Sequence, residues 1–292
     1  MAWYRSSINQ NKPVAENGYD YVLRGSNPNV YCFRDMSNIF RNGGNYGRSF
    51  NMPVIIGNAI TNCSHMFENC RSFDSPVTMG TGIIDYSNMF NNCPIFNKPL
   101  SVYGSNINCR LMFWGCYYFN SPISWDVKDF LDCAWMFANC RNFNQPIPSI
   151  VGNRNNLICY HMFENCHNFN QPVIIDVGNR ANCYQMFINC YDFNQPVVIG
   201  SNVMNMVQMF VTCSVFNSDI YIKGNEYRTI NVSGIGLTRN LSIHFNHVLN
   251  NRFNTGTFSG RTLNWITQEN MYYNSEYNIY CYYNYDGVTD PF

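Results

Sequence analysis

The sequence predicts a repeat solenoid with a parallel β-sheet on one face and short helical turns on the other, closed by N- and C-terminal caps. Three observations predict it. Phe50, Phe73, Phe96, Phe119, Phe143, Phe169, Phe193 and Phe216 lie 23, 23, 23, 24, 26, 24 and 23 residues apart, and all but Phe73 are followed by Asn. A Met-Phe pair keeps the same interval, from Met66-Phe67 to Met209-Phe210, with Ile39-Phe40 opening the series. Within each unit the apolar spacing changes from a helical to a strand rhythm. A fixed period in the twenties marks stacked coils, because a unit this short cannot bury its apolar face without its neighbours.

The stretch from Cys133 to Ile147 shows one unit. Cys133, Met136, Phe137 and Cys140 fall at i, i+3, i+4 and i+7, one face of a helical turn. Pro three residues after the ruler Phe sets the entry to a short strand, as in Val173-Ile174-Ile175 and Val197-Val198-Ile199. Residues of equal phase then form columns. Phe and Met make the core spines, and Asn after Phe forms a ladder buried at the bend, its amides bonding adjacent coils.

The pattern Met-Phe-x-x-Cys-x-x-Phe-Asn-Gln-Pro-Ile, as from Met136 to Ile147, resembles the BspA-type leucine-rich repeat of bacterial surface proteins and some phage proteins. The resemblance covers residues 32–223, read as an eight-coil solenoid. It implies a leucine-rich-repeat-like fold and a non-catalytic role in adhesion or protein contact. Extracellular members of that family carry a signal peptide or lipid anchor. The start Met1-Ala2-Trp3-Tyr4-Arg5-Ser6-Ser7 departs from this, being polar within a few residues.

Lys and Arg number 18, as do Asp and Glu. Such a neutral chain has no electrostatic case for nucleic acid or an anionic membrane surface, and no apolar run is long enough to span a bilayer. Twelve of the 14 cysteines sit at two phases, three residues before or four after the Met. A pair seven apart on a helix is about 10 Å apart along its axis, too far to bridge. They read as reduced, buried, small apolar residues, which favours assembly in a reducing compartment. Phase-equivalent Met36, Tyr86 and Met206 replace Cys without ligand chemistry, and His65, His161 and His167 lack a supporting Cys-x-x-Cys pair. No metal or cofactor is expected.

Residues 1–31 read as an N-terminal cap or attachment arm, with an apolar piece over residues 19–23. Gly43 to Arg48 is a Gly-rich surface loop without a phosphate-binding signature. Along the strands, Val77, Met79, Leu100, Val102, Ile123, Trp125, Val173 and Ile175 should face the core. Thr78, Ser101, Ser124, Pro148, Ile174, Val198 and Tyr221 should line the open sheet face, a candidate binding row. After Lys223 the period stops. Residues 224–292 read as a Tyr- and Asn-rich cap or assembly region, with strand-like pieces at 241–245 and 277–285. Tyr272, Tyr273, Tyr277, Tyr280, Tyr282, Tyr283 and Tyr285 are its candidate contact residues.

The catalytic rival is a glycan depolymerase with Asp126 and Asp176 as the acid pair. They stand two coils apart, roughly 10 Å, at the edge of the spacing an inverting mechanism needs. His244 and His247 show no triad spacing. The expectation is therefore a non-enzymatic contact protein: a phage virion protein of capsid or tail, with a cell-surface adhesin as the alternative. Its partners would be other virion proteins or a host-surface protein or glycan, and a homo-oligomer is allowed.

Overall fold

A computed structural model describes residues 35–43 and 50–222, with short gaps at 128–129, 148–149, 156, 180, 200–202 and 206–207. It also describes strands at residues 4–5, 13–14, 21–22, 241–245, 257–258, 261–262, 266–268, 271–274 and 279–283. The chain divides into two compact bodies, Met1–Pro148 and Ser149–Phe292.

In the first body, Tyr21–Val22, Val54–Ile55 and Val77–Thr78 form a three-stranded parallel sheet. Leu100–Gly104 pairs in parallel with Ile123–Val127. A second parallel ladder runs through Asp35, Asn62, Asp85 and Asn108 and reaches Asp132. In the second body the strands Ile150–Asn155, Val173–Asn179, Val197–Ile199, Ile220–Ile222 and Leu241–Phe245 are parallel. Ile279–Tyr283 continues this sheet in parallel, then Met271–Asn274 and Ile266–Gln268 add antiparallel strands. The strand beat thus passes Lys223: Val197, Ile220 and Ile243 are register partners 23 residues apart.

The expected helical turns do not form. Among the described residues there is no α-helix, only a 3₁₀ turn at 41–43. From Cys63 to Cys70 the backbone N–H groups alternate between two partners. Met66 and Cys70 donate three residues back, to Cys63 and Phe67, while Phe67 and Asn69 donate to Met89 and Asn91 of the next unit. His65 and Asn69, third in successive turns, have φ of 57° and 61°, the signature of consecutive type II turns. The left-handed residue breaks a helix after one turn and turns every second N–H toward the neighbouring unit. Asn42, Asn69, Asn92, Asn139, Asn165 and Asn189 take the second left-handed place, Gly115 does so in one unit and Thr212 in another. This Asn/Gly beat was the sequence signal for turns.

The same four side chains still reach the core: Cys63, Met66, Phe67 and Cys70 are fully buried. Phe rings superpose in two columns. Phe73 and Phe96 lie 5.6 Å apart at 7°, and Phe96 and Phe119 lie 5.9 Å apart at 3°. Phe67, Phe90 and Phe113 form the second column, and Phe90 meets Phe96 across the unit at 4.2 Å. In the second body Phe169, Phe193 and Phe216 repeat the arrangement, with successive rings 5.9 and 5.7 Å apart. The rings remove apolar area from water and add offset stacking.

Candidate binding surfaces

Polar columns order the faces around this core. The Asn after the ruler Phe accepts, through Oδ1, the N–H of its equivalent one unit on: Asp74 to Asn51, Asn97 to Asp74 and Asn120 to Asn97, each at 2.8 Å. The inter-unit bonds match the expectation, but the burial does not. Asn51, Asn97 and Asn120 are exposed, because the bend they hold lies at the surface. A second column caps the turns. Asp35, Asn62, Asp85, Asn108 and Asp132 each accept the N–H two residues on, an Asx-turn at every rung. Asp and Asn alternate along it, so like charges stand two rungs apart.

The sheet row is open in the first body and largely closed in the second. Ile55 is 40% exposed, Thr78 and Ser124 are exposed and Ser101 is half-buried. The Ser101 and Ser124 hydroxyls lie 2.9 Å apart. In the second body Ile174 and Tyr221 are half-buried, and the Tyr221 hydroxyl donates to Asp219 at 3.3 Å. Val198 is fully buried, as is Val197 beside it, which removes Val198 from an exposed row. In–out alternation assumes one solvated face; two consecutive buried residues mean both faces are covered there. Trp125, expected inward, is half-buried. Pro148 lies outside the described residues.

The Tyr-rich segment is built of paired strands. Tyr272 and Tyr273 lie in Met271–Asn274, opposite Cys281 and Tyr280. Tyr282 and Tyr283 pair in register with His244 and Phe245. The backbone here completes the sheet of the second body; Tyr277 and Tyr285 lie outside the described residues.

Comparison with known families gives four overlapping matches, at residues 24–103, 61–173, 104–199 and 159–251, to one family described as "Mycoplasma protein of unknown function, DUF285". Together they span well over half of the chain. This chain belongs to that family. No curated protein and no solved structure matches it. One family matching in overlapping stretches along the chain is what repeated units produce.

The DUF285 repeats bury their thiols. All twelve cysteines in the described units are buried and outside any disulfide. They are more than the small apolar residues expected, since one column donates to carbonyls: Cys70 to Phe40, Cys93 to Phe67, Cys116 to Phe90 and Cys140 to Phe113, at 2.8 to 3.1 Å. Cys190 and Cys213 do the same to Phe163 and Phe187. Burial pushes nine of these thiols up, Cys70 and Cys213 to about 12, which disfavours the thiolate that reactivity needs.

Charged groups form pairs within and between units that periodicity does not reveal. Glu68 accepts from Arg41 at 2.8 Å and faces His65 Nδ1 at 2.6 Å. Lys98 meets Asp74 at 2.7 Å. Arg110 meets Asp132 at 3.3 Å and lies 4.6 Å over the Trp135 ring. No group of three or more metal-ligating side chains occurs among the described residues. Asp126 is an exposed carboxylate in the first body, whereas Asp176 sits on Val173–Asn179 of the second. His244 lies on Leu241–Phe245, and His247 lies outside the described residues.

Proposed function

We infer that the chain is a non-enzymatic repeat protein that works by contact, built as a leucine-rich-repeat-like solenoid of the BspA type. The observation that carries this reading is the hydrogen-bonded column. Each position of this column is tied to its equivalent one unit away, from Asn51 through Asp74 and Asn97 to Asn120. Preorganised side-chain columns on a rigid scaffold suit recognition, because little entropy is lost on docking. The cysteines of the described repeats are buried and outside any disulfide, which suits assembly in a reducing cytoplasm.

On this reading the chain is a virion surface protein of a phage, on capsid or tail, contacting other virion proteins or a host-surface protein or glycan. The family description names a cellular bacterium, which favours a second placement as a cell-surface adhesin. Fractionation separates them. Fixed-stoichiometry co-purification with particles supports the virion placement; recovery in cell envelopes alone sinks it and supports the adhesin. Glycan cleavage abolished by Asp126→Asn together with Asp176→Asn would overturn the non-enzymatic reading.

A further inference from the structure

Seven large apolar side chains stand exposed among the described residues, and five of them share two phases of the repeat: Ile95, Tyr117, Tyr118, Tyr191 and Val215. These are the first two positions after the second cysteine of each unit, on a turn edge distinct from the sheet row. In the first body those phases read Arg71-Ser72, Pro94-Ile95, Tyr117-Tyr118 and Arg141-Asn142. Arg71 and Arg141 are exposed, and no acidic residue stands among the eight. Tyr118 is 61% exposed, and the Arg141 guanidinium lies 5.4 Å over the Tyr117 ring.

The backbone here is committed. Tyr118 N–H donates to the Pro94 carbonyl at 3.1 Å, and Asn142 N–H to that of Tyr117 at 3.2 Å. With these backbone groups engaged between units, the side chains are what the edge offers for recognition.

We propose that the strip Arg71, Ile95, Tyr117, Tyr118 and Arg141 binds an acidic glycan chain. The guanidinium fork matches a sugar carboxylate in two parallel hydrogen bonds. The tyrosine rings offer flat apolar faces to the C–H faces of pyranose rings, and their hydroxyls meet sugar hydroxyls. Arg71 and Arg141 stand three repeat steps apart, about 14 Å at the spacing of paired strands, the length of a few sugar rings. The chain as a whole carries formal net charge +0, so attraction must come from this local pair of cations. The proposal rests on the contact-protein reading above and names a ligand class for a different face.

The test titrates the full chain with polygalacturonate, with dextran as the neutral control and polyglutamate as the peptide control. Polygalacturonate should bind more weakly as salt rises, and dextran should not bind. Tyr118→Ala and Arg141→Gln should each weaken binding on the order of tenfold, the loss of one anchor. Both side chains are exposed, so thermal unfolding should stay unchanged. Failure to bind polygalacturonate overturns the proposal, as does binding that Tyr118→Ala leaves intact or equally strong polyglutamate binding. If polygalacturonate is ignored while the chain still co-purifies with particles or envelopes, the strip fails and the contact reading survives.

Discussion

Raising the pH should unfold this protein through its cysteines. Burial raises the pKa of nine thiols: Cys63, Cys70, Cys93, Cys109, Cys116, Cys133, Cys140, Cys190 and Cys213. The first seven lie in Met1–Pro148. A thiol with a raised folded pKa contributes stability that is whole below the unfolded value, near 8.5, and is lost as pH climbs toward the folded one. Each thiol that ionises only on unfolding costs about 1.4 kcal/mol per pH unit. Seven together cost the first body about 10 kcal/mol per unit, comparable with the whole stability of a typical domain. Repulsion among thiolates in the unfolded chain softens the slope without changing its sign. Urea denaturation between about pH 7 and pH 10 under reductant should show stability flat at first, then collapsing above about pH 8.5. Replacing Cys93 and Cys116 with Ala should reduce the alkaline slope by roughly 3 kcal/mol per unit. Phe67 would keep a partner in the Cys70 N–H at 2.9 Å, so the variant should still fold at neutral pH. A loss below about 3 kcal/mol up to pH 10 would refute the claim that these thiols stay buried and protonated.

Asn97→Ala removes the acceptor of the Asn120 N–H, while the Ser121 hydroxyl keeps the main-chain carbonyl of residue 97 at 2.9 Å; at this exposed place the urea midpoint should report about 1 kcal/mol lost, and Asn97→Asp should recover most of it. Gly82→Ala puts a Cβ 2.1 Å from the Asn58 carbonyl oxygen and should cost about 1–3 kcal/mol, seen as a lower thermal midpoint. Leu111 holds φ of 57°, where Asn38 and Asn88 occupy the same phase; Leu111→Asn should stabilise by roughly 0.5 kcal/mol, the relieved backbone cost outweighing lost half-buried contact. Burial raises the Asp132 carboxyl against the Ala134 N–H and Arg110, which lower it. Its contribution is therefore lost as pH rises through the upper carboxylate range. Asp132→Asn, the residue found at Asn62 and Asn108, should flatten that pH dependence in denaturation experiments.

The repeat, the phases that enter the core and the absence of disulfides among the phased cysteines are all legible in the chain alone. These follow from periodicity alone: Phe73, Phe96 and Phe119 must share one environment if their units are equivalent, and they stack as columns. The sequence also located the strands at 241–245 and within 277–285. Tertiary structure decided what periodicity leaves open. An i, i+3, i+4, i+7 pattern fits a helical turn, but it equally fits two tight turns whose left-handed third residues send alternate N–H groups to the next unit. Which one forms depends on whether a neighbour is there to accept them, as Met89 accepts from Phe67. Exposure of the sheet row was undecided for a similar reason, since Val198 obeys the alternation of its strand yet is buried from both sides. The turn-edge strip is spread over 23- and 24-residue intervals in the chain, and only stacking brings Tyr117 and Arg141 together.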